Sequence, residues 1–97
     1  MSTETTGPVI VAKSDLVGDY VYEFKEEVLS AIETERNELV IDLSNVQILS
    51  SSAIGVLARA VNTLSPSNRA VVLRGVSPDI LRVLNLMGVT PFFKIQS

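Results

Sequence analysis

The chain has no cysteine, no histidine and no tryptophan among its 97 residues. Each absence removes a class of chemistry. Without Cys there is no disulfide scaffold and no thiol nucleophile, and without Cys or His the usual zinc ligand sets are gone. A Ser-His-Asp arrangement is excluded on the same ground. Aromatic residues make up only 5% of the chain, so a core has to be built from Val, Leu, Ile and Ala. Basic residues occur singly and the formal net charge is −3. The clustered positive charge that selects nucleic acid or an anionic membrane surface is therefore missing. No apolar run approaches the roughly 18–20 residues that span a bilayer. The polar start, Met1 to Gly7, lacks a basic region followed by an apolar one. A cytoplasmic domain without direct membrane insertion is expected.

What is present suffices for one domain. Hydrophobic residues make up 46% of the sequence, enough for a single core. Residues 1–7 read as a flexible tail and residues 8–97 as the domain. Pro8 precedes the β-branched run Val9-Ile10-Val11-Ala12, which predicts a strand near a sheet edge. Lys13 to Asp19 is ambiguous, because Leu16-Val17 either extends a strand or forms a bend. Gly18-Asp19 punctuates it, with Asp19 placed to cap a helix. Val21, Phe24, Val28 and Ile32 then recur at helical steps, predicting a helix from Tyr20 to about Arg36 that Asn37 closes.

Leu39-Val40-Ile41-Asp42-Leu43 predicts a strand covered on both faces. Ser44-Asn45 turns the chain, and Val46 to Leu49 returns it to the apolar layer. From Ser52 the stripe Ile54, Leu57, Val61 and Leu64 is helical again, and Ser65-Pro66-Ser67-Asn68 stops it. Ala70 to Arg74 is a further strand. Ser77-Pro78-Asp79 supplies an N-cap, a proline at the first helical position and an acid in the first turn. Ile80, Leu84 and Met87 form the last helical stripe, with Leu81 and Leu86 in or near the core. Gly88 sits where a left-handed residue ends a helix. Phe92-Phe93-Lys94-Ile95 reads as a final strand or a docked tail. Alternating elements of this kind predict an α/β layer domain with a mainly parallel or mixed sheet of about four to five strands and about three to four helices.

Only one stretch offers a good chemical candidate: Ser50-Ser51-Ser52, between an apolar segment and a helix. Loops after the carboxyl ends of parallel strands are where sites gather. A helix N-terminus there presents unpaired N–H groups and a partial positive charge. A serine in that place caps the helix or carries a phosphate. Asp42, at a strand end, is suited to bonding loop N–H groups and has no neighbouring His, Lys or second carboxylate to make it catalytic. Gly75-Val76-Ser77-Pro78 lacks the lysine and glycine spacing of a phosphate loop. No cofactor or metal is expected, and no nucleotide through a standard motif.

The segment VIDLSNVQILSSSAIGVLARA resembles the central signature of the STAS domain family, which includes bacterial anti-sigma-factor antagonists. That pattern is an apolar strand ending in Asp-Leu-Ser, then Asp-Ser-Ser-Gly or Asp-Ser-Thr-Gly opening a helix that continues Leu-Gly-Val-Leu. The likeness runs from Asp19 onward through Ala70–Val76, Ser77–Gly88 and Phe92-Phe93. By position it implies Ser52 as phosphoacceptor, with Ser51 as the preceding serine and runner-up. Ser50 stands where the family usually has aspartate, and Ala53 where it usually has glycine. Asp42 is implied as polar support for the serine loop. Asp19, Ser50, Ser51, Ser52, Ala53 and Ile54 are implied as a partner-binding surface.

The implied function is that of a non-enzymatic module that binds an anti-sigma factor or a GHKL-type serine kinase. Serine phosphorylation switches that binding off, and a phosphatase reverses it. The alternative implied by the same family is a constitutive, non-phosphorylated subunit of a transporter or stress-signalling complex. A small α/β enzyme is disfavoured by the missing His, Cys and phosphate-loop motifs.

Overall fold

The computed structural model describes residues 9–34 and 38–96. The expected tail, residues 1–7, and the expected helix stop at Asn37 lie outside the described residues. Strands β1 (Val9–Val11), β2 (Leu39–Asp42), β3 (Val71–Arg74) and β4 (Lys94–Gln96) alternate with helices α1 (Asp19–Thr34), α2 (Ser51–Leu64) and α3 (Pro78–Leu86). Short 3-10 turns at Ser65–Ser67 and Thr90–Phe92 join α2 to β3 and α3 to β4. The four strands lie in sequential order and pair in parallel throughout. Of the arrangements the sequence allowed, the purely parallel one is found.

Register explains the division of side chains. Ile10, Ile41, Leu73 and Ile95 are aligned across the sheet, as are Val11, Asp42, Arg74 and Gln96 one residue on. Successive residues of a strand point to opposite faces. Ile10, Leu39, Ile41, Val71 and Leu73 thus join one cluster with the apolar stripes of the helices. Val40 and Val72 are buried but stand outside that cluster. Because every crossover steps the same way along the sheet, right-handed connections place all three helices on one face.

The helix stripes differ slightly from the predicted ones. In α1 the buried residues are Val21, Phe24, Val28 and Ala31, and Ile32 is half-buried. In α2 they are Ala53, Ile54, Leu57, Ala60 and Leu64, and Val61 is half-buried. Helix α3 departs most. Ile80 and Leu84 are buried, yet Leu86 is 80% exposed and Met87 53%, so the expected core place of Leu86 and Met87 is corrected. Leu86 is the last residue of α3 and, two positions past Leu84, lies on the side of the helix away from the buried pair, while Met87 is the C-cap. Gly88, at φ +73°, stops it as predicted. The Gly88 N–H donates to the Asn85 carbonyl and the Val89 N–H to that of Leu84, the paired bonds of a Schellman ending.

Candidate functional site

In a parallel sheet the loops after each strand emerge at one edge, and here three converge: residues 12–18, 43–50 and 75–77. The ladder continues into them. The Ala12 N–H donates to the Asp42 carbonyl at 3.0 Å, and the Leu43 N–H to the Arg74 carbonyl at 2.9 Å. Leu16 and Leu49 then form an isolated parallel bridge. The Leu16 N–H donates to the Ile48 carbonyl and the Ser50 N–H to the Leu16 carbonyl, at 3.0 and 3.1 Å. The ambiguous Leu16-Val17 is therefore strand-like at one residue only. Val46–Leu49 descends to the core through Val46 and Leu49, while Ile48 is 57% exposed.

The three serines are distinct. Ser50 is the N-cap of α2: its backbone is extended, at φ −71° and ψ 163°, and its hydroxyl accepts the Ala53 N–H at 3.2 Å. Its carbonyl accepts the Ile54 N–H. An aspartate in the same place would cap equally well, so serine keeps the hydrogen bond and drops the charge. Ser51 and Ser52, both exposed, occupy the first turn of α2. That turn contains no acidic residue, so its partial positive charge faces no carboxylate of its own helix.

The remaining members of the implied partner surface fall in different places. Ala53 and Ile54 are buried in the core, so they are corrected as partner contacts. What they lend the site is their N–H groups, held by Ser50. Ala53 has no positive φ, and a helical alanine fits where the family usually has glycine. Asp19 is exposed and is the first residue of α1. It is not the residue before the helix, because Gly18, at φ +59°, makes the left-handed turn there.

Asp42 bonds a loop N–H group, as its strand-end position suggested, but not in the loop's serine segment. Its Oδ1 accepts both the N–H and the hydroxyl of Ser44, and its Oδ2 meets Arg74 Nε at 3.1 Å. Those Ser44 hydrogen bonds, with help from Arg74, hold the Asp42 carboxyl below its ordinary range, against a smaller opposing effect of burial. Asp42 thus fixes the turn after β2, and its reach stops short of the serines. The carboxylate that supports the serine loop is Asp15. Its Oδ1 accepts the Gln47 and Ile48 N–H groups at 2.7 and 3.1 Å. The reading of the sequence missed this residue. Its only signal was a short acceptor beside a strand of unclear length, and the partners lie 32 and 33 residues away.

The third loop is packed against the first turn. Gly75 has φ +71°, and a Cβ there would run into Ser44 Oγ and approach the Ser44 nitrogen to 3.0 Å. Ser77 then caps α3, accepting the Ile80 N–H at 3.2 Å, with Pro78 first in the helix as predicted. No group of three or more metal-ligating side chains occurs among the described residues. Nor is any helix among them long and apolar enough to cross a membrane.

Solved structures share this fold. The chain is similar to a putative anti-sigma factor antagonist of Thermotoga maritima, with TM-score 0.80 and 23% identity over 92% of this chain and 79% of that one. It is similar to a serine-to-glutamate variant of RsbS from Moorella thermoacetica, with TM-score 0.74 and 26% identity over 91% and 76% of the two chains. It also resembles a sulfate transporter family protein of Wolinella succinogenes, with TM-score 0.64 and 19% identity over 86% and 69%. No curated protein matches it. The family model for the STAS domain matches residues 2–97, and the chain belongs to the STAS domain family.

Proposed function

We propose that this domain is a phosphorylation-regulated protein-binding module of the anti-sigma-factor-antagonist kind, with Ser52 as the acceptor and no catalysis of its own. Its partner is an anti-sigma factor or switch kinase of the GHKL type. The observation that carries the reading is the division of labour among the serines. Ser50 alone caps α2, which leaves the Ser52 hydroxyl exposed on a first turn empty of acid. The kinase moves the γ-phosphoryl group of ATP to Ser52 Oγ, and a phosphatase removes it.

A phosphate adds about −1.5 to −2 charge at neutral pH. The helix N-terminus tolerates that charge, so the fold survives it. A protein interface built around the neutral hydroxyl does not, because the charge must be desolvated and repels acidic partner groups. Incubation with the kinase and ATP, followed by mass spectrometry of the Ile48–Arg59 peptide, is expected to show one phosphate on Ser52 and none in Ser52→Ala. Ser52→Asp is expected to bind the partner roughly tenfold or more weakly than Ser52→Ala. Equal affinities, or no phosphate with a kinase that binds the domain, favour the second reading.

That second reading is a constitutive subunit of a transporter or stress-signalling complex. One observation favours it: Ser50 keeps the cap of the usual aspartate without its negative charge, and a kinase that reads the charge loses its cue.

A further inference from the structure

Between α1 and α2 runs a trough of about 400 Å³ with Ser52 at one end. From α2, Ser52, Gly55 and Arg59 line it, and from α1, Tyr22, Lys25 and Leu29. Both sets follow helical steps of three, four and seven, so the trough follows the helices for about 10 Å, two helical turns. Its floor is apolar, with Val28 and Ala60 beneath. Its charged lining residues are both cations, Lys25 and Arg59, and among the described residues neither forms an ion pair. This stands out in a chain of net charge −3. Three of the five acids of α1, Glu23, Glu26 and Glu27, line the hollows beside β1 on its other flank, and Asp19 and Glu33 line neither those hollows nor the trough.

Gly55 sharpens the point. It lies inside α2, exposed, with nothing within 4 Å of where a Cβ would stand. Glycine weakens a helix interior relative to alanine, and packing within the fold gives no reason for it here. A larger side chain would instead fill the trough.

We propose that the trough seats an acidic amphipathic helix of the partner protein, its apolar side on the floor and its carboxylates on Lys25 and Arg59. Tyr22, Ser52, Gly55 and Arg59 are all exposed, so the trough is open along its outer side. That suits a helix laid in a groove; a small lipid needs a pocket that encloses most of its surface. Gly18 also lines the trough, and its chain neighbour Val17 is an exposed apolar residue. Phosphate on Ser52 brings about −1.5 to −2 charge against two cations, leaving little attraction for an acidic helix. The inference rests on the protein-binding reading and is independent of whether Ser52 is phosphorylated.

The test is a titration of the full chain, followed by amide NMR shifts and fluorescence anisotropy, with three probes. The first is a synthetic helical peptide with a leucine stripe flanked by glutamates; the second has lysine for each glutamate; the third is decanoate. The acidic peptide is expected to move the amides of Lys25, Gly55 and Arg59 and to bind roughly tenfold more tightly than its lysine twin. The double variant Lys25→Glu/Arg59→Glu reverses that ranking. Gly55→Leu abolishes binding while its thermal melting stays at or above that of the parent. Equal affinity for the two peptides, shifts confined to another surface, or tighter binding of decanoate in the trough each overturn the proposal. Because no kinase enters this titration, a failed phosphorylation assay leaves its outcome unaffected, and the reverse also holds.

Discussion

Two strand-to-helix corners stand side by side at the carboxyl edge of the sheet, and they solve the same capping problem to different ends. Ser50 and Ser77 have nearly the same backbone, φ −71° and ψ 163° against φ −72° and ψ 159°. Each hydroxyl accepts the N–H three residues on at 3.2 Å. There the likeness stops. The corner before α3 spans residues 75–77 and continues into Pro78 and Asp79, so the helix supplies its own acid, paired loosely with Arg82 at 3.9 Å. The corner before α2 spans residues 43–50, is tied to the loop after β1, and is followed by two exposed serines with no acid. The serine cap is thus ordinary helix chemistry at both ends. What distinguishes α2 is the vacancy for negative charge beyond the cap.

The largest effect is expected where the short corner touches the long one. Gly75→Ala forces a side chain into left-handed backbone and into Ser44. It should lower stability by about 2–4 kcal/mol, read as a shift of the urea midpoint with the slope unchanged. A loss no larger than a few tenths would show that the two corners are not packed together.

Next in size is the release of the long corner alone. Asp15→Ala leaves the Gln47 and Ile48 N–H groups without their acceptor and should cost about 1–2 kcal/mol. Hydrogen exchange at those two amides should rise, while the α3 corner stays protected. Asp42 gives the pH counterpart. Its folded-state pKa is depressed, so its contribution is fully present above the unfolded carboxylate value near 3.8. It is lost as pH falls through the lower folded value. Acid titration of stability should therefore show a loss below about pH 4 that Asp42→Asn flattens.

The matched caps test the likeness itself. Ser50→Ala and Ser77→Ala should each cost about 1 kcal/mol. A clear inequality would mean that one serine does more than cap. Ser50→Asp, by contrast, should leave stability within a few tenths while restoring the charge usual in the family. Faster phosphorylation of that variant would assign the aspartate to kinase recognition.

How much of this was readable beforehand follows from the range of each interaction. Apolar periods and local end signals were legible: the Val21–Val28 stripe, the Ser77-Pro78-Asp79 start of α3, and Gly88 at its end. That one of the three serines caps α2 was legible too, but the structure was needed to assign the cap to Ser50. Asp15 was not legible, because its partners are distant in sequence and the stretch around it has no periodic pattern. Leu86 and Met87 misled for a different reason. Leu86 is off the face that Ile80 and Leu84 share, and Met87 falls at the C-cap, where the helix ends. The charge of the α1–α2 trough belongs to the same class as Asp15, since Lys25 and Arg59 sit on separate helices and converge only in the fold.

The smallest expected effect bears most directly on mechanism. Ser52→Asp places a carboxylate in the acid-free first turn of α2. It should raise stability by about 0.3–1 kcal/mol at low ionic strength, fading as salt screens it. Asp79→Asn should move α3 the opposite way by a comparable amount, since it removes the acid that α2 lacks. The fold and the interface then respond to one charge with opposite signs: thermal melting rises in Ser52→Asp while partner affinity falls. That pairing separates an electrostatic switch from a loss of structure. If Ser52→Asp instead melts at a lower temperature, weakened binding reflects a damaged helix end, and the contrast between the two corners no longer explains regulation.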